Sequence, residues 1–155
     1  MEREEQWEAA HGLRAGDLAP KFRLRDAEGG WISLLQTLGA GPAVLVFIGG
    51  TCAAQTGPAG LLERQAEAAA QGAVLLTISP GGAACGLGDP DGEVRRAYGA
   101  PEGAEVAIYV IDRDGRIVLS CVEADPHGPL ELGEAMAALK ALRARRARGE
   151  QARGE

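Results

Sequence analysis

The thiols and imidazoles of this sequence, its readiest nucleophiles and transition-metal ligands, are Cys52, Cys85, Cys121, His11 and His127. Cys52 has the most informative surroundings. It follows an apolar run, Ala43 to Ile48 (AVLVFI), and a Gly49-Gly50-Thr51 turn, and it opens a segment with helical spacing. A helix start presents unpaired N–H groups and partial positive charge. Both favour a thiolate over a thiol, and the thiolate is the reactive form. Thr51 and Thr56 could offer hydroxyls to that thiolate or to an oxygen bound beside it. The position beyond the carboxyl end of a buried strand is also where open α/β sheets bind ligands. The alternative is that Cys52 is a small apolar residue packed under the helix.

Cys85 lies in a glycine-rich stretch, GGAACGLGDP. An exposed thiol there could condense with a sulfenic acid on Cys52 to give a disulfide, or be an incidental loop thiol. Cys121 ends an apolar strand pattern and reads as a packing residue. His127 sits between prolines in a predicted surface loop, and neither histidine has metal-ligand spacing to a partner. Asp89-Pro90-Asp91-Gly92 reads as a turn. The glycine pairs do not form a phosphate loop, which needs a Lys-Ser/Thr ending. No cofactor and no metal is expected.

The elements that must position these residues follow from periodicity. Phe22 and Leu24 alternate with Lys21, Arg23 and Arg25, and Trp31 to Leu34 resumes extended structure after Glu28-Gly29-Gly30, so a β-hairpin is predicted. Ala43–Ile48 and Ala73–Ser79 are continuous apolar runs, as expected of strands buried on both faces. A helix from about Cys52 to Gln71 connects them, with Leu61, Leu62, Ala66 and Ala69 on one face. Residues 83–91 read as loop, and Glu93–Tyr98 as a short helix stopped by Gly99. Val106–Asp112 and Arg116–Cys121 form a hairpin around Arg113-Asp114-Gly115. A last helix runs from Leu130 to about Arg148, with Leu132, Met136, Leu139 and Leu142 at helical spacing, before a polar tail that should fray. Strands joined by a helical crossover pair in parallel, whereas the late hairpin is antiparallel. The expected fold class is therefore α/β, a mixed central sheet with helices on both faces.

Composition narrows the function classes. The 155 residues make one domain, and 23 of them are glycine, about twice the usual share. Sixteen basic against 22 acidic residues give a net charge of −6, which disfavours phosphate backbones and anionic lipid. Aromatics are only 4%, too few for a base-stacking surface. No nucleic acid and no membrane partner is expected. Three cysteines are too few for a disulfide scaffold. The first residues, MEREEQWEAAHGL, lack the apolar core of a secretion signal. The expected location is cytoplasmic.

Gly16-Asp17-x-Ala19-Pro20-x-Phe22-x-Leu24-x-Asp26-x-x-Gly29 resembles the opening of the peroxiredoxins and AhpC/TSA-type redoxins. The stretches Asp89 to Gly99 and Tyr109 to Arg116 are similar to theirs as well, in order and at nearly the same spacing. The resemblance covers about Leu13 to Leu142 and implies a thioredoxin-like fold. It divides the chain into an N-terminal helical extension (1–12), a redoxin domain (13–143) and a polar C-terminal tail (144–155). The active-site motif departs from the family pattern. Aligned without gaps from Phe47, the two motif positions fall on Ala53 and Thr56. With a one-residue deletion, Cys52 becomes the first cysteine of a C-x-x-C and Gln55 replaces the second. Val106 stands near where relatives carry an arginine or a cis-proline, and Pro80 to Asp89 is shortened.

The resemblance implies an antioxidant oxidoreductase: a thiol-dependent peroxidase or thiol–disulfide oxidoreductase with Cys52 as redox nucleophile. Thr51, Gln55 and Thr56 would lie around it, and Cys85 or an external thiol would resolve it. A peroxide or disulfide would be the substrate, a thioredoxin-like protein or a small thiol the reductant, and a homodimer is compatible with this reading. The departures define two alternatives, a redoxin-fold binding or regulatory module without peroxidase activity and a one-cysteine thiol sensor. A thiolate lacking a cationic neighbour keeps roughly 0.3–1 kcal/mol from an exposed helix terminus. That is less than one pKa unit, at about 1.36 kcal/mol per unit.

Overall fold

The computed structural model describes residues 14–26, 28–48, 61–79, 87–89, 91–99, 106–123 and 133–154. The strands are β1 (Arg23–Arg25), β2 (Trp31–Ser33), β3 (Ala43–Ile48), β4 (Val74–Ser79), β5 (Leu87–Gly88), β6 (Val106–Ile111) and β7 (Ile117–Glu123). The helices are α1 (Leu34–Ala40), α2 (Leu61–Ala70), α3 (Glu93–Tyr98) and α4 (Gly133–Gly154). Among the described residues the strands form one seven-stranded sheet in the order β2-β1-β5-β4-β3-β6-β7. The pairs β3–β4 and β4–β5 are parallel, and the other pairs are antiparallel. This is the expected mixed sheet. None of the described helices is long and apolar enough to cross a membrane.

β3 shows why the sheet is covered twice. Alternate side chains of a strand point to opposite faces. Ala43, Leu45 and Phe47 enter a core with Phe22, Leu34, Leu38 and Tyr98, beneath α1 and α3. Val44 and Val46 enter a second core with Ala68, Ala135, Met136 and Leu139, beneath α2 and α4. An unbroken apolar run is what a strand needs when neither face meets water.

Several elements differ from the sequence expectation. Leu34 was expected in extended structure, but it opens α1. The Ser33 side chain caps that helix by accepting from the Gln36 N–H at 3.1 Å. Leu34 and Leu38, one turn apart, are buried, while Leu35 is exposed. Within the expected loop 83–91, Leu87 and Gly88 form β5 and bridge β4 to β1. Among the α2 side chains whose burial is described, Ala68 is buried, whereas Ala66 and Ala69 face solvent. In an alanine-rich helix the side chains differ too little for periodicity to fix the face. Met136 and Leu139 are buried as expected. The tail expected to fray continues as helix to Gly154, consistent with the high helix propensity of alanine, arginine, glutamate and glutamine. The expected helix over 2–12, the first part of the helix expected from Cys52, His11 and His127 lie outside the described residues.

One glycine is required by a close approach. Gly41, between α1 and β3, lies against the backbone between α2 and β4, and a Cβ there would overlap the Gly72 carbonyl oxygen. The Val74 N–H donates to the Pro42 carbonyl at 2.9 Å in the same junction. Backbone meets backbone, so no side chain can swing aside. Gly41→Ala is expected to destabilise the fold by about 1–3 kcal/mol, the usual cost of overpacking. A shift of the urea midpoint at unchanged slope would show it, and an unchanged midpoint would refute the constraint.

Candidate functional site

The sequence-predicted residues Thr51, Cys52, Gln55, Thr56 and Cys85 lie outside the described residues. The structure describes the strand ends from which their segments leave. β3 and β4 are adjacent and parallel, with Phe47 opposite Ile78. The segment carrying Cys52 leaves at Ile48, and the segment carrying Cys85 leaves at Ser79 and rejoins the sheet at Leu87, opposite Ile78. Both segments therefore emerge at the same end of the sheet. Val106 pairs with Ile48, so β6 starts at that end too. Cys121 is placed elsewhere. It pairs with Ile108, is half-buried, and packs against the core beneath α2 and α4, as expected of a packing residue.

The end of β3 is held by aromatic rings. The Phe47 ring lies 5.3 Å from that of Tyr98 and 5.6 Å from that of Tyr109, centre to centre. Tyr98 and Tyr109 meet at 5.3 Å and 64°, and Phe22 reaches Tyr98 edge-on at 6.4 Å. Both hydroxyls are satisfied. Tyr98 donates to the Pro20 carbonyl at 2.7 Å, and Tyr109 donates to the Tyr98 carbonyl at 3.1 Å. Edge-on pairs of this kind each add about 0.5–1.5 kcal/mol beyond burial.

Asp89 was expected only as a turn residue, but it also organises the end of β4. Its N–H donates to the Ser79 carbonyl at 2.9 Å. Its carboxylate is buried at 4% exposure and accepts from the Val94 N–H at 3.3 Å and the Arg95 N–H at 3.0 Å. Two amides at the helix start thus satisfy the hydrogen bonding of a buried carboxylate. A signal was present in the sequence: an aspartate shortly before a short helix whose own cap, Gly92, has no side chain.

Burial raises the Tyr98 pKa well above its ordinary value, and the neighbouring Tyr109 adds to the rise. Burial, followed by the charge of nearby Cys121, pushes Tyr109 up to about 12. Among the described residues no cluster of histidine, cysteine and carboxylate is placed to hold a metal.

No family model matches the chain, and no curated protein matches it. Solved structures do. Peroxidoxin BcpB from Mycobacterium tuberculosis superposes with a TM-score of 0.69 at 21% identity, over 84% of this chain and 98% of that one. The reduced 2-Cys peroxiredoxin of Plasmodium vivax gives 0.68 at 16% identity, over 88% and 86%. Mycobacterium tuberculosis AhpC gives 0.64 at 18% identity, over 84% and 98%. The fold is that of the peroxiredoxins. The thioredoxin-like architecture implied by the sequence resemblance is therefore present.

Two outcomes follow from this geometry. The chain has two tyrosines, and both are in the cluster. The protonated forms are favoured in the fold, so their stabilisation is complete below the ordinary tyrosine pKa of about 10. It is lost as pH rises from there through about 12. The native protein should show little tyrosinate absorbance at a pH where the guanidinium-unfolded chain is mostly ionised, and coincident titrations would refute the burial. Separately, Asp89→Ala removes the acceptor of two buried amides and should cost about 2–3 kcal/mol in urea unfolding. Asp89→Asn keeps one acceptor oxygen and should cost less; equal losses would mean the capping bonds are not the cause.

Proposed function

We propose that this chain is a thiol-dependent peroxidase or thiol–disulfide oxidoreductase of the redoxin class, with Cys52 as its redox nucleophile. The observation carrying this reading is the peroxiredoxin fold together with the position of Cys52, in the segment leaving the carboxyl end of β3. In the peroxidase form, the Cys52 thiolate attacks one peroxide oxygen. The O–O bond breaks, and the other oxygen leaves as water or an alcohol after taking a proton. Cys52 is left as a sulfenic acid. A second thiol then attacks its sulfur, an S–S bond forms and water leaves. An external dithiol or two small thiols restore Cys52 and are themselves oxidised to a disulfide.

Cys85 is the resolving thiol in this proposal. It precedes Leu87 by two residues, and β5 lies about two strand spacings, roughly 10 Å, from β3. Each cysteine is a few residues beyond its strand, so a Cα approach of about 7 Å or less is within chain reach. Thr51, Thr56, Gln55 and backbone N–H groups would orient the peroxide. A soluble cytoplasmic antioxidant role, with a thioredoxin-like or small-thiol reductant, belongs to the same proposal.

A second reading is favoured by Val106, which pairs with the last residue of β3 and supplies no charge. On that reading the chain is a redoxin-fold binding module without peroxide chemistry. Intact-mass measurement with peptide mapping separates the two. Reduced protein given slightly substoichiometric hydrogen peroxide should gain one oxygen on Cys52, or lose two hydrogens as a Cys52–Cys85 disulfide, within seconds. Cys52→Ser should abolish turnover. An unchanged mass after many minutes, or turnover retained without Cys52, would overturn the enzyme reading.

A further inference from the structure

A second surface lies on the β1–β2 hairpin. Trp31 is 46% exposed, and the guanidinium carbons of Arg23 and Arg25 each sit 4.6 Å from the centre of its ring. The three side chains share the hairpin face turned away from Leu24 and Ile32, which pack toward the core. Both arginines are exposed, and neither makes an ion pair among the described residues. On a chain of net charge −6, two guanidinium groups beside an exposed indole, with no ion pair among the described residues, place positive charge on this face of the hairpin, although Asp26 and Glu28 lie in the same hairpin.

The backbone beside them is open as well. Among the described residues β2 is the terminal strand of the sheet. The Asp26 N–H donates to the Gly30 carbonyl at 2.9 Å, and the Leu34 N–H to the Phe22 carbonyl at 3.1 Å. In an antiparallel ladder hydrogen-bonded pairs alternate with non-bonded ones, so Leu24–Ile32 is bonded, whereas Arg23–Ser33 and Arg25–Trp31 are not. The N–H and C=O of Trp31 and the N–H of Ser33 therefore point outward at the free edge. The Ser33 carbonyl is taken up by the Thr37 hydroxyl at 2.9 Å.

We propose that this edge binds an extended acidic polypeptide segment. The segment adds as a strand beside Trp31–Ser33, and its carboxylates pair with Arg23 and Arg25 across the indole. Main-chain bonds would supply affinity, and the guanidinium pair would select charge. Nucleic acid fits this edge less well, because the outward amides and carbonyl match a strand's backbone and only one ring is available for stacking. The proposal does not rest on the chemistry of Cys52.

Trp7→Phe leaves Trp31 as the sole tryptophan and makes it the reporter. A short capped peptide alternating glutamate and valine should change Trp31 emission saturably, whereas its lysine counterpart should not. Affinity should fall about tenfold or more between roughly 50 and 300 mM salt. N-methylation of alternate peptide amides, which keeps the charge, should weaken binding about tenfold. The double variant Arg23→Glu, Arg25→Glu should prefer the lysine peptide. If that variant does not fold, Arg23→Gln, Arg25→Gln should simply lose binding. Equal binding of the N-methylated peptide would overturn strand addition. Binding of a thymidine oligonucleotide in place of the peptide, or self-association of the chain that buries Trp31, would overturn the acidic partner.

Discussion

The rest of the structure depends on how Tyr98 is held. Its hydroxyl reaches back to the Pro20 carbonyl, a contact across 78 positions of sequence. Its ring lies against Phe47 at the end of β3, and its own carbonyl accepts the Tyr109 hydroxyl from β6. The opening segment, α3, β3 and β6 are thus fixed to one side chain that is fully buried. A buried hydroxyl without a partner costs about 1–3 kcal/mol, so the cluster holds together only while each polar tip is satisfied. The rings supply the packing and the two hydroxyl bonds set its register.

That constraint gives the sheet two unlike ends. At one end α1 turns into β3 and α2 into β4, with Gly41 and Gly72 in backbone contact. The Arg113–Gly115 turn lies at this end too, because Ile111 pairs with Ala43. The turn is closed by Asp112, whose carboxylate accepts from the Asp114 and Arg116 N–H groups at 2.9 and 3.0 Å. These are tight, locally satisfied connections. At the other end β3 and β4 give way to the segments carrying Cys52 and Cys85, and the support there is aromatic packing and the Asp89 bonds. The division suits an open α/β sheet, in which one end closes the chain and the other presents a site.

Much of this was legible in the residues, for identifiable reasons. β3 and β4 are unbroken apolar runs because both faces are covered. The β6–β7 hairpin is marked by Asp-Gly, and α3 is bounded by Gly92 and Gly99, both with positive φ. α1 was missed because Trp31-Ile32-Ser33-Leu34 continues an extended pattern. The competing signal, a serine cap followed by leucines one turn apart, is short. β5 was missed because two residues carry no periodicity, and their strand state comes from neighbours distant in sequence. For the site, residue type and position single out Cys52, which lies outside the described residues. The role of Asp89 has a local signal, an aspartate just before a short helix whose cap is glycine, whereas that of Tyr98 arises from a hydrogen bond to Pro20, far away in sequence.

The electrostatics of the site end follow from the same groups. An acidic chain that is to ionise a thiol must keep uncompensated anions away from it. Asp89 follows β5, about two strand spacings or roughly 10 Å from β3. A bare carboxylate at about 10 Å would oppose a thiolate by about 0.4 kcal/mol at the dielectric of water, and by about four times that at an effective value of 20. This is comparable with the roughly 0.3–1 kcal/mol that an exposed helix terminus returns. The Asp89 charge is instead shared with two α3 amides, and both tyrosines keep their protons through neutral pH. Under the proposed function, in which Val106 provides no cation, compensation of nearby negative charge is one contribution the described fold can make to a Cys52 thiolate. It does so with backbone amides, so a substitution at Asp89 acts on both the packing of α3 and the charge felt beyond β3.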